Sequence, residues 1–202
     1  MATRVAGIVL AAGMSRRFGG NKLLAPLDGV PLVRHVVAAA LASRLNRVVV
    51  VLGHQHAAVQ AALGDLLDGT RCTAVVNAAY RDGQSGSVIA GLEAVRREFP
   101  AAMFLMGDQP RLDAAIIDAL IAAYEAAGTD ICYPSRDGMR RNPVIFGHRF
   151  FPDILALNGD TGARAVIDAN PDAATAVAFA DAAPFRDVDR GPDLAALGGA
   201  GG

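Results

Sequence analysis

Short, wholly apolar runs alternate along this chain with segments whose apolar side chains return at helical spacing, and few folds accommodate that order. Val5–Leu10, Val48–Leu52 and Ala101–Met106 contain nothing polar, as strands buried on both faces require. Between them, Leu32, Val33, Val36, Val37, Ala40 and Leu41 mark one face of a helix. Val88, Leu92 and Val95 mark another within Ser87–Phe99, which Pro100 stops. Helices are also predicted over Ala57–Leu63 and Ala114–Ala127, and strands over Arg71–Val76 and Asp130–Tyr133. Strands separated by helices in this way predict a single-domain α/β fold, with a mostly parallel sheet flanked by helices on both faces. The second half is less regular, with strand patterns at Pro143–Phe146 and Thr175–Phe179 and helical ones at Arg149–Leu157 and Ala163–Asp168. It predicts a subregion packed over one edge of the sheet within a domain spanning 1–197, followed by a flexible Gly-rich tail at 198–202.

A chain of 202 residues buries enough surface to need no disulfide or metal staple. Its 19 basic and 20 acidic side chains nearly cancel, which excludes the electrostatic footprint of a nucleic-acid or anionic-membrane binder. No apolar stretch approaches the roughly 20 residues of a membrane span. The start, Met1-Ala-Thr-Arg, lacks a signal-peptide layout. Cys72 and Cys132 sit far apart in apolar runs, as reduced core thiols do, so a cytoplasmic location is expected.

The loop after the first strand, Leu10-Ala-Ala-Gly-Met-Ser-Arg-Arg-Phe-Gly-Gly-Asn-Lys22, carries the strongest chemical signal. In an open parallel sheet, ligands bind outside the carboxyl ends of the strands. Ala11, Ala12 and Gly13 let a ligand approach the backbone, whose successive N–H groups cradle phosphate oxygens. Arg16, Arg17 and Lys22 add cations suited to a multiply charged anion. A Walker A loop is excluded, because five residues separate Gly13 from Gly19 and Leu23 stands where Ser or Thr is needed; the Rossmann G-x-G-x-x-G is absent too. Lys22 is the only lysine, all 18 other cationic side chains being arginine. That choice points to a place where a compact ammonium fits and a guanidinium fork does not.

Gly107-Asp108-Gln109-Pro110 follows the strand Ala101–Met106 directly, so Asp108 emerges at the same edge of the sheet. One carboxylate there suits Mg²⁺, which takes one or two carboxylates plus substrate phosphates and water. Asp187 and Asp189 flank Val188 and share a face if that segment is extended, which makes them candidates for a second ligand. His35, His54, His56 and His148 form no spacing expected of a metal site.

With these residues in view, the chain resembles the molybdopterin nucleotidyltransferase family, within the wider group of Rossmann-like nucleotidyltransferases. The markers are the segment Leu10–Lys22, Gly83-Gln84-Ser85, Gly107-Asp108-Gln109-Pro110, Asn142-Pro143-Val144, Gly159-Asp160-Thr161-Gly162-Ala163-Arg164 and Asp187-Val188-Asp189. The resemblance implies an enzyme that moves a nucleoside monophosphate from an NTP to a terminal phosphate. On that basis Leu10, Ala11, Ala12 and Gly13 hold base and ribose, Ser15 belongs to the nucleotide-binding set, and Gly83, Gln84 and Ser85 add base or sugar contacts. Arg16, Arg17 and Lys22 hold the triphosphate, and Asp108 binds Mg²⁺ with help from Asp187 and Asp189. Asn142, Asp160 and Arg164 face the acceptor. Leu-Ala-Ala-Gly with Gly-Gln resembles the branch that uses CTP, with Ala12 narrowing the space for the base, and the implied acceptor is molybdopterin or a related phosphate. A molybdoenzyme or its chaperone would then be a partner. Another NTP, another phosphate acceptor and a non-catalytic cofactor-binding chaperone stay open. Asn142 stands where the family usually has His, and Arg190-Gly191 after Asp189 shifts the terminal loop by a residue from the family's usual pattern.

Overall fold

The computed structural model describes residues 3–198. Its elements run in chain order as β1 Val5–Ala11, β2 Pro26–Leu27, β3 Val30–Pro31, α1 Leu32–Ala42, β4 Arg47–Leu52, α2 His56–Leu63 and β5 Cys72–Val76. They continue as α3 Gln84–Glu93, β6 Ala101–Met106, α4 Ala114–Ala127, β7 Ile131–Arg136, β8 Met139–Arg140 and β9 Val144–Gly147. Closing the chain are α5 Phe151–Leu155, α6 Arg164–Ala169, β10 Ala174–Ala178 and α7 Gly191–Gly198.

The main sheet has the order β10-β7-β9-β6-β1-β4-β5, with β8 attached to β7. Strands β6, β1, β4 and β5 are parallel neighbours, and β9 enters antiparallel between β6 and β7. Successive residues of β1 face opposite sides. Val5 and Val9 join a core with Val33, Val36, Val37 and Ile117, whereas Ala6 and Ile8 join one with Val88, Leu92, Ile154 and Ile167. Helices α1, α2 and α4 therefore cover one face and α3, α5 and α6 the other, as the alternation predicts.

The expected arrangement of the second half needs correction. Its strands β7, β9 and β10 extend the sheet itself instead of packing over an edge. A four-residue antiparallel strand such as β9 is apolar throughout, so nothing local separates it from a parallel one. The predicted helix Arg149–Leu157 is shorter, a 3₁₀ turn at His148–Phe150 leading into α5. The tail also differs in part, since Gly198 ends α7; residues 199–202 lie outside those described.

Cys72 and Cys132 are fully buried. Burial pushes both thiols up to about 11, above the unperturbed value of about 8.5. The folded state thus holds these protons more tightly than the unfolded chain. Their stabilising effect is complete below pH about 8.5 and is lost as pH rises toward about 11. A thiol reagent at pH 8 is expected to label neither cysteine in the native protein and both after guanidinium unfolding; rapid native labelling would contradict the burial.

Candidate active site

β1 delivers the chain to the carboxyl edge of the sheet, and the loop that follows is folded back on itself by its own polar groups. Ser15 takes a left-handed conformation, φ 52°. Its carbonyl accepts from the Phe18 N–H at 3.0 Å and its Oγ from the Lys22 N–H at 3.3 Å. Asn21 Oδ1 caps the next turn through the Leu23 N–H at 3.1 Å, and its amide reaches His54 O at 3.4 Å. Phe18 packs against Leu27, Leu32 and Val188. Ser15, expected to contact nucleotide, thus also holds the loop's shape. Ala12 is 5% exposed and its methyl abuts Gly53, so what it offers a ligand is mainly backbone and not a side chain narrowing the site.

The acids arrive on two other segments. The Gly107 N–H donates to Leu10 O at 3.0 Å, and a Cβ on Gly107 would lie 2.9 Å from that oxygen. Only a glycine brings the end of β6 so close to the loop, and Asp108 follows it. The Val188 N–H in turn donates to Asp108 O at 3.0 Å, which carries Asp189 alongside. Asp193, at the start of α7, accepts from the N–H groups of Asp189 and Arg190 at 2.9 and 2.7 Å and fixes that turn.

Here the two groups meet. Lys22 Nζ lies 2.6 Å from Asp108 Oδ2 and 3.2 Å from Asp189 Oδ1, and Arg17 Nη2 lies 2.8 Å from Asp189 Oδ2. The side chains of Lys22 and Asp108 are 13% and 14% exposed. Burial pulls the Lys22 pKa down, but Asp108 and Asp189 outweigh it and raise it above its usual value, so Lys22 is an ammonium at neutral pH. Arg16 has no carboxylate partner among the described residues and bonds only Met14 Sδ, at 3.7 Å. Asp187 accepts from Gln109 Nε2 at 2.9 Å. Surrounding protein atoms, then the charge of Asp108, raise its pKa, although the side chain lies at the surface.

These residues border a cavity of about 580 Å³. Leu10, Ala11, Ala12, Gly13, Ser15, Arg16, Arg17, Lys22, Gly83, Gln84, Asp108, Asp160 and Asp189 line it; Ser85 and Asp187 do not. Asn142 and Arg164 line a second cavity of about 210 Å³, which shares Leu10, Gln84 and Met106 with the first. Sequence reasoning missed Tyr80, Arg81 and Asp82 in the first cavity and Arg140 and Arg141 in the second. The polar run just before Gly83 was the available signal for the former.

A seam joins the two cavities. Ser85 Oγ donates to Gly159 O at 2.8 Å, the Ser85 N–H donates to the same oxygen at 3.2 Å, and the Gln84 N–H donates to Asp160 Oδ1 at 3.3 Å. Ser85 therefore ties α3 to the loop before α6 instead of facing a ligand. In the second cavity, Arg140 Nη1 lies 2.8 Å from Asp168 Oδ1, without hydrogen-bond alignment. Phe104, Val144 and Ile167 give that cavity an apolar wall.

Whether a divalent cation fits can be judged from the donors. Asp108 Oδ1 is buried with no hydrogen-bond partner, and Asp108 and Asp189 converge on one ammonium. Among the described residues, no three His, Cys, Asp or Glu side chains gather as a closed metal cage. Two carboxylates without a third donor match a metal whose remaining ligands come from substrate phosphates and water.

Residues 7–174 match the family described as MobA-like NTP transferase domain. The chain is 33% identical to the purine catabolism protein PucB of Bacillus subtilis over 188 residues, 91% of this chain and 90% of that one. It is 29% identical to nicotine blue oxidoreductase of Paenarthrobacter nicotinovorans over 192 residues, 92% of each. It superimposes on Rv0371c of Mycobacterium tuberculosis with a TM-score of 0.83 and 26% identity, covering 98% of this chain and 99% of the other.

Proposed function

We propose, for a chain that belongs to the MobA-like NTP transferase domain family and is therefore a nucleotidyltransferase, that it transfers CMP from CTP to the terminal phosphate of molybdopterin and releases pyrophosphate. The observation that carries this reading is the convergence of Arg16, Arg17 and Lys22 with Asp108 and Asp189 at one cavity, open beside a second, arginine-bearing one. A triphosphate suits the first cavity, which offers backbone N–H groups, three cations and two acids. A phosphate-bearing acceptor with a flat ring body, whose faces can rest on apolar side chains, suits the second, which Arg140, Arg141 and Arg164 line together with Phe104, Val144 and Ile167.

In the reaction, an oxygen of the acceptor phosphate attacks the α-phosphorus of CTP. A new P–O bond forms, the bond to the β-phosphate breaks, and pyrophosphate leaves with the electron pair. A phosphate nucleophile is already ionised near neutral pH, so no general base is needed. What the chain must supply is positioning and charge. Arg16, free of any carboxylate among the described residues, can close on the triphosphate, and Arg17 and Lys22 are within reach of the same cavity. Mg²⁺, held through Asp108 and Asp189, would neutralise charge developing on the phosphates. Asp187, bonded to Gln109, would support that cluster from behind. The seam at Gly83 and Asp160 keeps donor and acceptor sites in register.

The test is a panel of NTPs crossed with phosphate acceptors, read as pyrophosphate release with Mg²⁺. CTP with molybdopterin is expected to give the highest rate. Faster release with GTP would overturn the nucleotide assignment, and release only with another acceptor would replace molybdopterin. Tight molybdopterin binding with no turnover on any NTP would favour a carrier role that hands the cofactor to a molybdoenzyme.

A further inference from the structure

We infer that Lys22 is the resident cation of the divalent-metal seat and keeps that seat closed in the nucleotide-free protein. The inference rests on the reading of the larger cavity as a metal-assisted NTP site. The ammonium lies between Asp108 and Asp189, at 2.6 and 3.2 Å, with only 13% of the side chain exposed. Arg17 holds the other oxygen of Asp189 at 2.8 Å. The two cations thereby hold Asp108 Oδ2 and both oxygens of Asp189, and Asp187, whose own charge interacts with both acids, is the one carboxylate of the cluster they leave unpaired. A metal ion arriving without nucleotide must displace the ammonium before it can use those oxygens.

The same arrangement can open. Ser15 Oγ and the Asn21 cap fix the backbone around Lys22, while its side chain beyond the backbone is a flexible four-carbon stem ending in a point charge. An incoming triphosphate offers that charge a new anionic partner and brings oxygens for the metal. The ammonium can then retract toward the phosphates as the metal takes its place on the acids. An arginine is less suited to this exchange, because its planar fork binds carboxylates through fixed, paired hydrogen bonds, whereas an ammonium on a flexible stem can swing from one anion to another. This gives a physical reason for the single lysine among 18 arginines.

Mn²⁺ alone, followed by electron paramagnetic resonance on the full chain, reads the exclusion without any activity assay. The wild type is expected to leave Mn²⁺ free at concentrations that saturate Lys22→Met, whose affinity should be at least tenfold tighter. Lys22→Gln, which keeps an amide able to bond both acids, should shift in the same direction and covers the case in which Lys22→Met folds poorly. Adding Asp108→Asn to either variant should abolish the gain, and Mn²⁺ should raise the Tm of the single variants more than that of the wild type. Wild-type affinity for Mn²⁺ equal to that of both variants would overturn the inference. Failure of CTP to bind the wild type in calorimetry would instead sink the nucleotide reading, while the Mn²⁺ comparison still decides the role of Lys22.

Discussion

Asp108→Asn is expected to lower NTP-dependent pyrophosphate release by about 10²–10³-fold, equivalent to roughly 2.7–4 kcal/mol of barrier, the scale seen when one fixed electrostatic group is lost from a reaction centre. The substitution keeps the shape of the side chain and removes its charge. Lys22 retains Asp189 as a partner at 3.2 Å, and the backbone bonds at Gly107 and Val188 do not involve the altered group. The Tm should therefore change little, so the effect separates chemistry from folding. Lys22→Arg is expected to lose activity on a similar scale although the charge is kept, because a bulkier planar guanidinium must replace a compact ammonium held 2.6 and 3.2 Å from Asp108 and Asp189 with only 13% of its side chain exposed. Steady-state assays with thermal melts on both variants decide the matter. Wild-type turnover by Asp108→Asn would remove that residue from the reaction.

Gly83→Ala is expected to be the most damaging small substitution outside the charged cluster. Gly83 has φ +128°, a conformation L side chains rarely adopt, and an added Cβ would collide with the Gly159 carbonyl. The obstacle is backbone and cannot rotate away. Left-handed strain costs about 1–3 kcal/mol, and overpacking a fitted contact costs a further ~1–3 kcal/mol. Relief requires the loop at Gly159 to separate from α3, which also breaks the bonds made by Ser85 and Gln84. A fall in Tm of several degrees should accompany a raised KM for both substrates, because the seam borders both cavities. A melt and a KM pair indistinguishable from wild type would contradict the seam's role.

Much of this was legible in the residues. α4 and β6 fall on their predicted bounds, because Asp113 and Gly128 cap a long apolar pattern and Pro100 precedes a wholly apolar run. α3 was less legible. It begins at Gln84, three residues before the predicted start at Ser87, since a glycine in an unusual conformation caps it and no side-chain cap announces it. The two-residue strands β2, β3 and β8 carry too little pattern to be seen. Helix α7 hides in the segment read as a terminal loop, where only Asp193 marks the cap.

The chain's own pattern determined the layered fold, the glycine- and arginine-bearing loop after β1 and the presence of an acid at the end of β6, because periodicity, glycine placement and charge spacing are local properties. Tertiary structure alone decided that Lys22 meets Asp108 and Asp189, 86 and 167 residues away, that Asp187 turns to Gln109, and that Ser85 serves a seam. Such pairings depend on which strands become neighbours and on where close backbone contacts such as that of Gly107 let them approach. Sheet order and close approach are settled by packing of the whole chain, and short sequence windows do not encode them.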